Sequence, residues 1–102
     1  MEVNVATANG RAVLRLRGRF DFNAHREFRE AIDSATGQAD AKEVQVDLAG
    51  VDYLDSSALG MLLMLREKAD GKGKSVHLAG MKGTVKQVLD IANFGKLFSI
   101  RP

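Results

Sequence analysis

A carboxylate followed by two hydroxyls, Asp55-Ser56-Ser57, stands directly before Ala58 to Ala69, a stretch without proline that is rich in strong helix formers and contains only Gly60 against them. Short oxygen-bearing side chains at the mouth of a helix accept hydrogen bonds from its unpaired N–H groups. The same mouth carries partial positive charge and favours an anion. Three uses of the corner follow: capping the helix, holding a ligand phosphate through neighbouring amides, or carrying a phosphoryl group whose charge the helix end tolerates. Capping alone is the plainest of the three. Either hydroxyl is reachable by this chemistry, and periodicity alone does not choose between Ser56 and Ser57.

The corner needs a strand before it. Val44, Val46 and Leu48 alternate with Glu43, Gln45 and Asp47, the period of a strand with one apolar face. Ala49 to Asp52 are expected as a turn that leads into Tyr53, Leu54 and the helix. Upstream, Val3 and Val5 alternate with polar neighbours, and Asn9-Gly10 signals a tight hairpin turn, so the first two strands are expected to be antiparallel. The second runs from Arg11 to Arg17, with Leu14 and Leu16 on one face and Val13, Arg15 and Arg17 on the other. Gly18-Arg19-Phe20-Asp21 ends it. A first helix is predicted over Asn23 to Ala35, capped by Asp21 or Asn23 and stopped at Thr36-Gly37-Gln38. After the central helix, Gly71 to Lys74 connect to a short strand, Ser75 to Ala79. A third helix spans Thr84 to Ala92, Asn93 to Gly95 stop it, and Leu97, Phe98 and Ile100 form a last strand.

Strands alternating with helices imply right-handed crossovers and a mostly parallel sheet, here with one antiparallel hairpin at the start. The order is β-β-α-β-α-β-α-β, an α/β fold with its helices mainly on one face. The Val13-Arg15-Arg17 side of the sheet is then the more open one. Length and composition agree with one domain over residues 1–102: 45% of the residues are hydrophobic and 27% charged.

Several function classes are set aside by the same reading. The chain has no cysteine, which removes disulfides, thiol catalysis and thiolate metal sites. Its formal charge is +2, with fifteen basic and thirteen acidic residues interspersed, so direct nucleic-acid binding has little support. The arginines at 11, 15, 17 and 19 read as a solvated strand face. No apolar run is long enough for membrane insertion, and Glu2 and Asn4 do not fit a signal peptide, so a cytoplasmic protein is expected. Gly73-Lys74-Ser75 fails as a phosphate loop because it leads from helix into strand. Ser56 has no Gly-x-Ser-x-Gly elbow and no evident base nearby, and His25 and His77 are each alone in their segments, so neither an enzyme nor a metal site is expected.

At about 100° per residue, Ala58, Leu62, Leu65 and Ala69 fall on one side of the central helix and are expected in the core. Ser56, Gly60, Leu63 and Glu67 fall on another, with Met64 at its border, and Ser57 is displaced toward Met61 and Met64. Two apolar side chains beside an accessible serine suggest a docking surface. Asp21 joins it if the second and central strands end side by side.

The whole chain resembles the single-domain STAS proteins of the anti-sigma factor antagonist family. The resemblance rests on Gly18-Arg19-Phe20-Asp21, on Val46-Asp47-Leu48 followed by Tyr53-Leu54-Asp55-Ser56-Ser57-Ala58-Leu59-Gly60, and on the segment from Gly83 to Asn93-Phe94-Gly95. Ala58 stands where the family usually has glycine. The resemblance implies a bacterial partner-switching protein that catalyses nothing and needs no cofactor. Its unphosphorylated form binds an anti-sigma factor that is also a serine kinase of GHKL type, which frees that kinase's other client. Phosphorylation of Ser56 abolishes binding, and a PP2C-type phosphatase reverses it. The implied partner surface comprises Asp21, Asp55, Ser56, Ser57, Gly60, Leu63, Met64 and Glu67. The alternative is an accessory STAS subunit that regulates a transporter or a signalling scaffold through the same corner without phosphorylation.

Overall fold

The structure is a computed structural model that describes residues 1–101. Strand β1 (Glu2–Ala8) and strand β2 (Arg11–Phe20) form the antiparallel hairpin. Its two-residue turn is Asn9 and Gly10, both at positive φ, the twist that suits paired strands. The chain continues through a single 3-10 turn (Phe22–Ala24), helix α1 (His25–Thr36), strand β3 (Glu43–Leu54), helix α2 (Ser56–Gly71), strand β4 (Ser75–Ala79), helix α3 (Gly83–Ile91), a second 3-10 turn (Phe94–Lys96) and strand β5 (Ser99–Arg101). The strands lie in the order β1-β2-β3-β4-β5, with β2 to β5 parallel. Each crossover moves one strand over in the same direction. A constant right hand then brings all three helices to one face of the sheet, as expected.

The core forms between that face and the helices. Leu14, Val44, Val46, Leu48 and Leu78 from the sheet meet Phe28, Leu62 and Leu65 from α1 and α2, all with no exposed surface. On the opposite face Arg15 and Arg17 are exposed. Three of the four β2 arginines have partners: Arg11 with Glu43 at 3.1 Å, Arg15 with Asp47 at 3.9 Å and Arg19 with Asp21 at 3.6 Å. The basic stripe is therefore a largely paired surface.

The largest departure from the expected layout is in β3. Ala49 to Asp52 do not turn; they continue the strand to Leu54. Two register shifts against β2 explain how. Arg15 faces Asp47 but Arg17 faces Gly50, and Gly18 faces Val51 but Arg19 faces Tyr53, so β3 carries an extra residue at each step. Such bulges bend a strand and re-aim its side chains. The inward positions accordingly change from Val44, Val46 and Leu48 to Val51 and Leu54. Gly50 is needed there, because a Cβ would stand 2.9 Å from the Leu16 carbonyl oxygen.

Smaller departures have local causes. Asn23 lies in the first 3-10 turn and α1 starts at His25; Asp21 caps that turn. Helix α2 starts at Ser56 and runs through Gly71, two residues longer at each end than its apolar pattern, because Asp55 supplies the cap. Helix α3 spans Gly83 to Ile91, one residue earlier than expected at each end, and Asn93 in the left-handed region follows it. Leu97 and Phe98 precede β5 instead of belonging to it, and the Phe98 ring stacks on Phe94 at 5.3 Å. Lys74, expected in a polar connection, is 92% buried, its Nζ donating to the carbonyls of Gln38 and Ala41.

Candidate functional site

Strands β2 and β3 finish side by side, with Phe20 opposite Leu54. The next residue of each is an aspartate in extended conformation, and each starts a helical turn. The Asp21 carboxylate accepts from the Asn23 amide at 3.0 Å; the Asp55 carboxylate accepts from the Ala58 amide at 3.1 Å. The Asp55 amide donates to the Phe20 carbonyl at 3.4 Å, which joins the two corners. Asp21 is thereby brought beside the start of α2. Its other neighbour is Arg19, whose guanidinium lies 4.0 Å from the centre of the Tyr53 ring.

Asp55 alone makes the side-chain cap of α2. Ser56 and Ser57 form the first turn, both are exposed, and neither hydroxyl has a protein partner among the described residues. Two nucleophile-weak but reachable hydroxyls thus stand over the positive end of a sixteen-residue helix, with no acidic side chain in its first turn. Loss of the cap is expected to be measurable: Asp55→Ala should lower the unfolding free energy by about 0.5–2 kcal/mol in urea denaturation. A larger loss would mean that Asp55 carries packing as well as a hydrogen bond.

Along α2, Ala58, Leu62, Leu65 and Ala69 are fully buried, as the wheel requires. Met61 also turns inward, at 2% exposure. Ser56, Gly60, Leu63 and Glu67 form an exposed row, and Met64 lies beside it over a groove toward α1. Leu63 is 39% exposed and Met64 37%. A Cβ added at Gly60 would meet nothing within 4 Å, so no packing inside the fold requires glycine there. Sequence reasoning missed two apolar side chains close to the corner, Phe22 at 68% exposure and Tyr53 at 38%. The signal for Phe22 was its place in the break between strand and helix periodicity, where no inward position exists. For Tyr53 the signal was hidden by the second bulge.

A second polar cluster lies at the other end of the sheet. Glu43 accepts from Arg11 at 3.1 Å and also faces His77 at 3.3 Å and Arg101 at 3.5 Å. Burial pushes the Glu43 carboxyl up, but the Arg11 hydrogen bond and the charges of His77, Arg101 and Arg11 outweigh it and leave it below its ordinary range. Ser75, His77 and Glu43 superficially suggest a proton relay. Serine and carboxylate both approach the same ring nitrogen, Nε2, while Nδ1 has no partner. A relay needs the base bonded through both nitrogens, so this cluster is a structural tie between β3, β4 and β5. No three His, Asp or Glu side chains among the described residues are placed to hold a metal. No helix among them is long and apolar enough to cross a membrane.

A family model described as "Mlab, STAS domain" matches residues 3–101. The chain belongs to the STAS domain family. This STAS domain is 44% identical, over 87 residues, to a STAS-domain containing protein of Pseudomonas aeruginosa (strain UCBPP-PA14), covering 85% of this chain and 84% of that one. It is 22% identical over 100 residues to an anti-sigma F factor antagonist of Paenibacillus polymyxa, covering 98% and 86% of the two chains. Its fold matches the crystal structure of an anti-sigma factor antagonist from Mycobacterium paratuberculosis, with a TM-score of 0.87 at 19% identity over 99% of this chain and 85% of that one. It also matches the Bacillus antagonist SpoIIAA in two states. For the unphosphorylated form the TM-score is 0.75 at 20% identity, over 99% of this chain and 88% of that one. For the phosphorylated form it is 0.74 at 19% identity, over 99% and 92%.

Proposed function

We propose that this STAS domain is an anti-sigma factor antagonist of a partner-switching pathway, with Ser56 as its switch. The observation that carries the reading is the division of labour at the start of α2. Asp55 satisfies the helix end, so the Ser56 hydroxyl is exposed and has no structural duty to lose. A phosphoryl group there adds about −1.5 to −2 charges and three acceptor oxygens. The helix mouth tolerates that charge. A partner packed closely over Ser56 does not, because the phosphoryl group brings bulk and charge into the contact together.

The unphosphorylated domain binds an anti-sigma factor that is a serine kinase of GHKL type, and a PP2C-type phosphatase resets it, as the family resemblance implies. ATP belongs to the kinase, so the domain itself needs no cofactor, and both encounters take place in the cytoplasm. Asp21, Asp55, Ser56, Ser57, Gly60, Leu63, Met64 and Glu67 form the partner surface. Gly60 supports this assignment. Glycine within a helix costs up to about 1 kcal/mol relative to alanine, and since no packing inside the fold excludes a side chain there, a flat spot for a partner supplies a reason to keep it.

Calorimetric titration of the anti-sigma factor with the two forms of the domain tests the proposal. Binding by the unphosphorylated form only is expected; equal affinity of both forms would sink it. In the same titration Leu63→Ala should weaken binding while costing well under the 2–5 kcal/mol of a core leucine truncation. A destabilisation of that full size would move Leu63 out of the docking surface and into the core.

A further inference from the structure

Helices α1 and α2 do not close against each other along their whole length. Between them lies a groove of about 320 Å³ lined by His25, Arg29, Ile32, Asp33, Met64 and Lys68. On α1 these residues are one and two turns apart, and on α2 Met64 and Lys68 are one turn apart, so two facing stripes make the walls. Ile32 and Met64 give an apolar floor, Met64 being a side chain that adapts to varied shapes. Ser57 and Met64, seven residues or about two turns apart, share a side of α2, so the groove lies on the Ser57 side of that helix.

The charge of the groove is one-sided. Its one carboxylate, Asp33, accepts a hydrogen bond from Lys68. That bond and the Lys68 charge, with Arg29 and Lys72 adding to them against burial, hold the Asp33 carboxyl below its ordinary range. Arg29 itself pairs with no carboxylate within 4.0 Å among the described residues, whereas the neighbouring Arg26 is engaged by Glu30. With Asp33 held by Lys68, Arg29 is left in the groove wall as a cation without a carboxylate partner, beside an apolar floor.

We propose that this groove docks an acidic segment of the protein partner, one that inserts an apolar side chain between Ile32 and Met64 and sets a carboxylate against Arg29. The inference rests on the partner-switching reading for which protein supplies the segment; the chemistry of the groove stands without it. A second copy of this chain is a poor occupant. A two-fold interface centred on the groove would bring Arg29 toward the Arg29 of the other copy.

The test is an NMR titration of the isotope-labelled full chain with two synthetic amphipathic peptides that share one leucine pattern, with glutamate at the polar positions of one and lysine at those of the other. The glutamate peptide should shift the amides of Arg29, Ile32, Met64 and Lys68, the lysine peptide should not, and Arg29→Glu should weaken the glutamate peptide about tenfold by replacing attraction with repulsion. Equal binding of the two peptides, unmoved groove amides, no effect of Arg29→Glu, or self-association through these residues without peptide would each overturn the proposal. Neither peptide is a kinase, so failure here leaves the Ser56 switch standing, and failure of that switch leaves this result standing.

Discussion

Phe28→Ala should lower the unfolding free energy by about 3–5 kcal/mol, the range of a fully buried aromatic truncated in a core. Phe28 has no exposed surface, and its ring lies 4.9 Å from that of Phe20, tilted by 51°. Removing it takes away the apolar transfer and the ring pair together, and leaves a cavity between α1 and the end of β2. At roughly 4–8 °C per kcal/mol for a chain of this size, the melting temperature should fall by more than about 10 °C. The loss reaches the candidate site, because the carbonyl of Phe20 holds the Asp55 amide. Phe28→Leu keeps much of the volume and should cost distinctly less. Thermal melts of the two variants check this, and a loss below about 1 kcal/mol for the alanine variant would contradict the packing described for this corner.

Burial periodicity explains what was legible in the sequence and what was not. Alternation in Val44-Val46-Leu48 and helical spacing in Ala58-Leu62-Leu65-Ala69 report one-sided burial directly, so the strand, the helix and their order were readable. Asn9-Gly10 fixed the hairpin by backbone preference. The bulges of β3 were not readable, since a bulge breaks alternation just as a turn does, and only the pairing of Arg17 with Gly50 and of Arg19 with Tyr53 separates the two. The same ambiguity concealed Tyr53. At the site, Asp55, Ser56 and Ser57 were each possible caps by chemistry, and it took the hydrogen bond between the Asp55 carboxylate and the Ala58 amide to choose. The groove between α1 and α2 depends on how far apart two helices sit. Nothing in either helix alone encodes that distance.

Ser56→Asp should reduce affinity for the anti-sigma factor by roughly tenfold or more, which is about 1.4 kcal/mol. The aspartate brings one negative charge and two oxygens to the mouth of α2, against nearly two charges and three oxygens for a phosphoryl group, so some binding should persist. Stability should hardly change or should rise slightly, because an acidic side chain in the first turn of a helix interacts favourably with its dipole by about 0.3–1 kcal/mol. Ser56→Ala should fold, bind like the unmodified protein and resist phosphorylation, since Asp55 and not Ser56 caps the helix. A Ser56→Ala protein that unfolds or loses binding would show that the hydroxyl has a structural or contact role that its exposure does not suggest.

The most direct measurement is phosphopeptide mapping of the domain after incubation with the cognate anti-sigma factor kinase and ATP. Label on Ser56, with Ser57 unmodified, is the expected result. Label on Ser57 with Ser56 untouched would contradict the assignment of the switch, and no label on either serine would contradict partner switching by phosphorylation and favour an accessory STAS subunit acting through the same corner.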